Sequence, residues 1–484
     1  MSLNFCDLLV LGSDLSGIIT ATLLAKRGMN VLVLDDESDQ EPISNVAVGL
    51  GSRAFRSLLG KLMIPDSKLQ ILHENKIGCQ IIFPKNRLDL HTNRVLFLRE
   101  IEREFPQEKT VVEELFGEID QLRENHLETL LSFFPVVDDK EKKKFIRWYE
   151  TFPSQKVLSI WEKISPTLQC FFRAQLRFFS RSPLLDQLAL QFLLFLPPEG
   201  DATYSVRGGV RELKRLFFDK LDYFGGMVHP LGQQPFQIIN QKKEIKGIQM
   251  GRYNFPTRCR YLLGNMNIQS IYRELPSHFI SFLFGRDETK VLSMKPQERH
   301  YLLQYHIARE VIPEPMQDNV ILISDPNAPL EGANSLELNL QAFPKGAVNG
   351  FDTLLTVSFK LPGDGINPVP LESLRNEVDQ KVRRFIPFAR EQLEMTYPKS
   401  PEKIAHQAPE LFPDENSEPP WEKIGEKYVS YPPSLFTPQM TTPYPNFFMT
   451  GPHILQWLGM EGKLLAALKA VDLIWAKELK VRNT

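Results

Sequence analysis

The sequence predicts an α/β protein: a parallel-sheet domain interleaved with an α+β domain that carries an antiparallel sheet. Three observations lead there. Asp7 to Asp35 reads as strand, turn, helix and strand; a mid-chain helix with a Gly-Gly stop runs into short strands; and apolar alternation fills Tyr301–Lys360. In the first stretch, Leu8–Leu11 is a short apolar run suited to a strand buried on both faces. Leu15, Ile18, Ile19, Leu23 and Leu24 recur at helical spacing as far as Arg27, and Gly28 closes the helix. Val31–Leu34 is a second buried strand with Asp35 at its carboxyl end. This is a βαβ unit of the Rossmann-like, dinucleotide-binding type. In such a unit the helix start faces a pyrophosphate, and an acid about 20 residues on takes a ribose hydroxyl.

The glycine fingerprint is broken at one place. Gly-x-Gly-x-x-Gly reads here as Gly12-Ser13-Asp14-Leu15-Ser16-Gly17, with Asp14 where the middle glycine belongs. At an effective dielectric near 20, two like charges about 4 Å apart repel by roughly 4 kcal/mol. Asp14 is therefore either the helix N-cap, occupying N–H groups a phosphate would use, or is relieved by a bound cation, or turns away from the phosphate.

At 484 residues the chain exceeds one simple core. Its apolar content of 42% and charged content of 24% are those of an ordinary globular protein. A net charge of −2 gives no global electrostatic case for nucleic acid. Cys6, Cys79, Cys170 and Cys259 lie far apart and in no metal-binding spacing, which fits free thiols in a reducing compartment. Neither a signal peptide nor a run approaching the ~20 apolar residues of a transmembrane helix is found. The expectation is a cytoplasmic protein, with contact at a membrane surface left open.

Along the chain, a hairpin is expected within Gly78–Leu90 around Pro84–Asn86, and helices over Leu96–Glu104 and Val111–Leu131. Asp138–Lys144, a charge run, reads as a solvated face or loop. Leu158–Leu196, ended by Pro197-Pro198, is the most apolar part of the chain and holds Phe171, Phe172, Phe178 and Phe179 beside Arg173, Arg177 and Arg181. It reads as a pair of buried helices, as the wall of an apolar tunnel, or as a patch for a membrane surface. A helix follows Tyr204–Gly209; then come strands at FQIIN, IKGIQM and RYLL, the last ending at Gly264-Asn265. A helix over Leu371–Phe385, a proline-rich stretch around Pro401–Pro445, the strand NFFMTG and a helix over Glu461–Leu479 complete the chain.

Taken together, three segments resemble the flavin-dependent phytoene desaturase and carotenoid isomerase family, within the amine-oxidase-like flavoproteins. They are the first βαβ unit with Gly12, Gly17, Ala21, Leu24, Gly28, Val31 and Asp35, the Arg207–Asn265 block, and the Thr450–Ala467 segment with its GMEG. The resemblance implies an FAD-binding domain over 1–75, 200–265 and 425–484, and a substrate domain over 76–199 and 266–424. It implies that Gly12, Ser13, Asp14, Leu15, Ser16 and Gly17 border the pyrophosphate and Asp35 and Asp36 the adenosine ribose. Met227 and Val228 would meet the adenine side, and Gly451, Gly459, Met460 and Glu461 the flavin. Three features depart from the family pattern: Asp14, the absence of glycine from 36–48, and Pro452 where the family has an acid.

Two functions follow as expectations. The first is an FAD-dependent desaturase- or isomerase-like oxidoreductase on a long apolar polyene or lipid. The second is a flavin-less pseudo-enzyme that binds a lipid, a prenyl group or a protein partner on the same fold. No catalytic triad and no metal-ligand cluster is legible. His300 and His306, six residues apart on one expected strand, share a face, and Glu461 is the candidate polar group near the flavin.

Overall fold

A computed structural model of the chain describes residues 5–36, 55, 58–180, 188–196, 203–206, 209–231, 236–241, 243–251, 256–274, 298–342, 352–362, 371–389, 392–397, 426–430, 440–442, 444–455 and 458–482. Strand Phe5–Leu11 (β1), helix Leu15–Lys26 (α1) and strand Val31–Asp35 (β2) form the expected first unit. β1 lies between β2 and Thr257–Gly264, parallel to both, and Met227–Pro230 lies parallel beside β2. The outer neighbour of Thr257–Gly264 changes along its length. Its first half pairs antiparallel with Glu244–Met250, and its last three residues pair in parallel with Phe447–Met449. Asn446 stitches that change: its amide donates to Ile245 O at 2.7 Å and Arg260 O at 2.8 Å, and its oxygen accepts from Ile245 N at 3.0 Å.

α1 is buried along nearly its whole length, because the C-terminal helix Gly459–Arg482 and the helix Gly209–Tyr223 pack against it. A helix enclosed this way is apolar on every side rather than striped. Its two threonines bond both to the preceding turn of α1 and to these neighbours, Thr20 Oγ1 to Ala467 O at 3.3 Å and Thr22 Oγ1 to Phe217 O at 3.3 Å.

The second sheet has eight strands and is antiparallel apart from the pairing of Ile77–Ile82 with Asn319–Ile323. Glu298–Ile307, Thr353–Pro362 and Ser335–Ala342 are its centre. Strands Leu393–Tyr397 and Glu426–Ser430, which the alternation did not signal, both pair with Glu298–Ile307. Glu426–Ser430 thus joins the second sheet, although the expected division assigns 425 onward to the dinucleotide half. One face of the sheet is apolar, with Tyr301, Leu303, Val357 and Leu338 packed beneath the helix Leu371–Phe385 through Leu374, Val378 and Val382.

Two expectations gain detail. Asp138–Lys144 opens a helix, Asp139–Glu150, whose first turn Asp138 caps by accepting from Glu141 N at 2.9 Å. A charge run can be helical because its long side chains keep their heads in water while Phe145 is buried. The phenylalanine-rich region forms helices Gln155–Trp161, Pro166–Ser180 and Leu188–Phe195, and its rings stack on one another. Phe97, Phe171, Phe172, Phe192 and Trp161 form a chain of ring contacts with centroids 5.3 to 5.9 Å apart. This is the buried helix pair of the three readings. Arg181, Pro197-Pro198, Arg207-Gly208, residues 37–54 and the proline-rich 401–425 lie outside the described residues. Among those described, no helix is long and apolar enough to cross a membrane.

Phe171→Ala should remove a fully enclosed ring and lower the unfolding free energy by about 3–5 kcal/mol in urea denaturation. Phe388→Ala, at a ring that is 75% exposed, should change it by no more than about 0.5 kcal/mol.

Candidate functional site

In an open α/β sheet, ligands bind beyond the carboxyl ends of the parallel strands. Here β1, Thr257–Gly264 and Phe447–Met449 end side by side, and the residues that follow them, Gly12, Asn265 and Thr450-Gly451, come together. Asn265 N donates to Leu11 O at 2.7 Å, and Thr450 N to Gly264 O at 2.8 Å.

The Asn265 side chain is fully buried and fully used. Its amide donates to Gly12 O at 3.2 Å and Asp14 O at 2.8 Å, and its oxygen accepts from Thr450 Oγ1 at 3.1 Å. The Ser16 hydroxyl lies 3.0 Å from that same oxygen and 2.8 Å from Asp14 Oδ1, and accepts from Gly451 N at 2.9 Å. The glycines are explained by this packing. A Cβ on Gly17 would sit 2.0 Å from Asn265 Nδ2, one on Gly12 2.7 Å from Asn265 O, and one on Gly451 3.0 Å from Asn265 C. Gly12 and Gly451 also hold positive φ, +97° each, which favours glycine.

Asp14 is the N-cap of α1, accepting from Ser16 N at 3.1 Å. Its second oxygen meets Lys463 Nζ at 2.7 Å; Asp14 is buried and Lys463 partly so. Burial pushes the Asp14 carboxyl up. The Lys463 ammonium, its hydrogen bond, the Ser16 hydroxyl and Lys214 outweigh that and hold it below the usual carboxylate range. Asp14 is thus the cap, and the charge that meets it is a lysine side chain of this chain.

Ser13 N and Ser13 Oγ both donate to Asp36 Oδ1, at 2.9 and 3.0 Å. Asp35 ends β2 opposite Pro230, with Met227 and Val228 on the adjoining strand. Leu15 is fully buried in the first turn of α1. Gly459 begins the last helix at φ +56°, Met460 is buried, and Glu461 occupies the first turn, where the helix dipole favours an acid. Burial lowers the His453 pKa to about 4 against the pull of Asp14, leaving a neutral imidazole at pH 7.

Much of the donor set at this helix start is already taken. An anion at a helix start needs free N–H groups. Here the N–H groups of Ser13 and Ser16 serve carboxylates of this chain, those of Gly17 and Ile18 serve Asp14 O, and Gly451 N serves Ser16. Asn265 and Lys463 were missed from sequence. Asn265 is only the residue after a strand, while Lys463 stands one turn beyond Gly459, a spacing that could have marked it.

A second cluster lies on the other face of the eight-stranded sheet. Glu298 and His300, Lys360, Ser358 and Thr356, and Glu337 and Asn339 project from three neighbouring strands, with His300 paired to Lys360 and Ser358 to Glu337. Arg177 reaches Glu298, and Lys360 Nζ lies 2.7 Å from Glu337. Burial holds Lys360 below its usual range despite Glu337. His306 shares this face with His300, as expected. Thr356 Oγ1, Arg177 Nε and Glu298 Oε2 are buried without a hydrogen-bond partner among the described residues, and such atoms call for water or a ligand. Among the described residues, no grouping of three His, Cys, Asp or Glu side chains could hold a metal. All four cysteines are buried and free. Burial raises each thiol, Cys6 to about 12 and Cys170 to about 11, which suppresses reactivity.

No family model matches the chain, and no curated protein sequence matches it. Solved structures do match. An oxidoreductase from Methanosarcina mazei is 14% identical, covering 96% of this chain and all of that one, with a TM-score of 0.57. A protein from Pyrococcus furiosus is 13% identical over 97% of both chains with a TM-score of 0.54. A putrescine oxidase redesigned in its cofactor binding is 12% identical over 98% of this chain and 99% of that one, also at 0.54. The chain therefore has the fold of the FAD-binding oxidoreductases, a Rossmann-like domain with a substrate domain. At these identities the likeness is one of fold alone.

Lys463→Met should leave Asp14 as a buried, unpaired carboxylate and cost about 3–5 kcal/mol at pH 7 in chemical denaturation. The loss should shrink in acid. In the wild type, the lowered Asp14 pKa stabilises the fold above the usual carboxylate range, and that contribution fades as pH falls through the folded value. In the variant, protonation relieves the penalty over the same fall. A pH-independent difference would contradict a charged pair.

Proposed function

We propose that the chain is a small-molecule-binding protein built on the FAD-dependent oxidoreductase fold, and that it works without resident FAD. The observation that carries this reading is the Asp14–Lys463 pair at the start of α1. It supplies from the chain both the anion and the counter-charge that a dinucleotide site leaves to be matched by ligand. The polar inner face of the second sheet supports a polar ligand, since its buried serine, threonine, asparagine and ionic side chains offer donors and acceptors. The ring-on-ring packing of Phe171, Phe172 and Phe192 supports a structural role for the apolar helices.

A second reading keeps the chain an FAD-dependent oxidoreductase on a long apolar substrate such as a polyene or lipid. One observation favours it: Lys463 neutralises Asp14, so the like-charge repulsion of roughly 4 kcal/mol expected from the sequence is removed. Peripheral contact with a membrane belongs to this reading as well.

Visible absorbance of the purified protein, before and after FAD is added and desalted away, separates the two. A colourless protein that retains no flavin is the expected outcome; flavin bands that survive desalting would overturn the first reading. Asp14→Gly, which frees the Ser16 N–H and leaves Lys463 as an unmatched cation, should raise FAD affinity at least about tenfold, about 1.4 kcal/mol.

A further inference from the structure

At the opposite end of the parallel sheet, about 20 Å from Asp14 by the length of β1, lies a cavity of about 830 Å³. Its floor is the start of strand Thr257–Gly264. Its walls are the hairpin of Phe236–Gln241 with Glu244–Met250, the turn at Pro445-Asn446 and the last turns of the C-terminal helix. The volume is that of a small-molecule site.

The charges around it are unbalanced. Its lining includes four cations, Lys246, Arg258, Arg260 and Lys477, against one carboxylate, Glu244. Two of the cations are matched: Lys246 by Glu244, and Arg260 by Glu478 at 2.7 Å and Asp7 at 3.2 Å. The other two are not. Among the described residues, no carboxylate lies within ion-pair distance of Arg258 or Lys477. The Lys477 ammonium donates to Pro445 O and sits 4.8 Å from the Phe448 ring centroid, both uncharged partners. Burial, with Lys480 adding to it, holds the Lys477 pKa below its usual value, which a bound anion would reverse. On the rim, Phe5 and Val481 are 53% and 52% exposed, an unusual setting for large apolar side chains.

We propose that this cavity binds a small amphiphilic anion, its apolar body covering Phe5 and Val481 and its oxyanion head seated between Lys477 and Arg258. The site is independent of the FAD question, because none of its residues touches Asp14, Asn265 or Lys463. Three probes with the same ring system test it by isothermal titration: 1-naphthyl phosphate, 1-naphthoate and the neutral 1-naphthol. Both anions should bind at least about tenfold more tightly than naphthol, and Arg258→Gln and Lys477→Gln should each weaken the anions by about fivefold or more while leaving naphthol unchanged. Arg258 is exposed, so its variant tests the charge without disturbing the fold. The stronger of the two anions identifies the head as phosphate or carboxylate. Naphthol binding as tightly as the anions, anion affinity unchanged in both variants, or no saturation at millimolar probe would each overturn the proposal.

Discussion

The buried amide of Asn265 holds three strand ends and one helix start together, and the arrangement of the parallel domain follows from it. Each of its hydrogen bonds spans elements distant in the chain: to Gly12 and Asp14 in the first loop, to Ser16 in α1, and to Thr450 before the last helix. A buried amide with every donor and acceptor matched is rigid, because losing any partner costs the desolvation of the group left behind. Gly12, Gly17 and Gly451 are small because Asn265 is where it is. The glycine loop thus admits the end of a neighbouring strand.

Asp14 extends the same logic to charge. A helix start attracts an anion, and either a ligand or the protein can supply it. In this chain the carboxylate is covalently present, so no translational entropy is lost in bringing it there, and Lys463 from the far end of the sequence neutralises it. A free diphosphate competing for that position would have to displace an intramolecular group already paired and hydrogen-bonded. A shared fold does not by itself carry a shared ligand chemistry.

The two sheets divide their work by polarity. In the parallel sheet the central strands β1 and β2 are buried on both faces and support the loop cluster. The antiparallel sheet is apolar only beneath the helix Leu371–Phe385, and its other face is lined with buried ionic and amide groups. Buried ion pairs such as Lys360–Glu337 add little net stability relative to apolar packing. They concentrate on one face, where Thr356 Oγ1 and Glu298 Oε2 have no hydrogen-bond partner among the described residues.

Much of this was legible in the sequence, for a local reason. Strand, helix and turn signals within Asp7–Asp35 are short-range, so β1, α1 and β2 fell where the pattern put them, and so did the strands of Tyr301–Lys360 and the helix Leu371–Phe385. The N-cap reading of Asp14 was equally local, as a side chain bonding two residues ahead. The charge run of the helix Asp139–Glu150 is a solvated face, as expected, and its inner face is supplied by Phe145 and Trp148 beyond that run. Strands Leu393–Tyr397 and Glu426–Ser430 escaped because their ladder partners lie far away in the chain. The partners of Asp14 and of the glycines were beyond any local pattern. Asn265 and Lys463 stand about 250 and 450 positions from Asp14, and nothing in their own neighbourhoods says what they touch. Residue order fixed that an acid caps this helix; the meeting of three strand ends decided that the acid would be buried, paired and satisfied from within the protein.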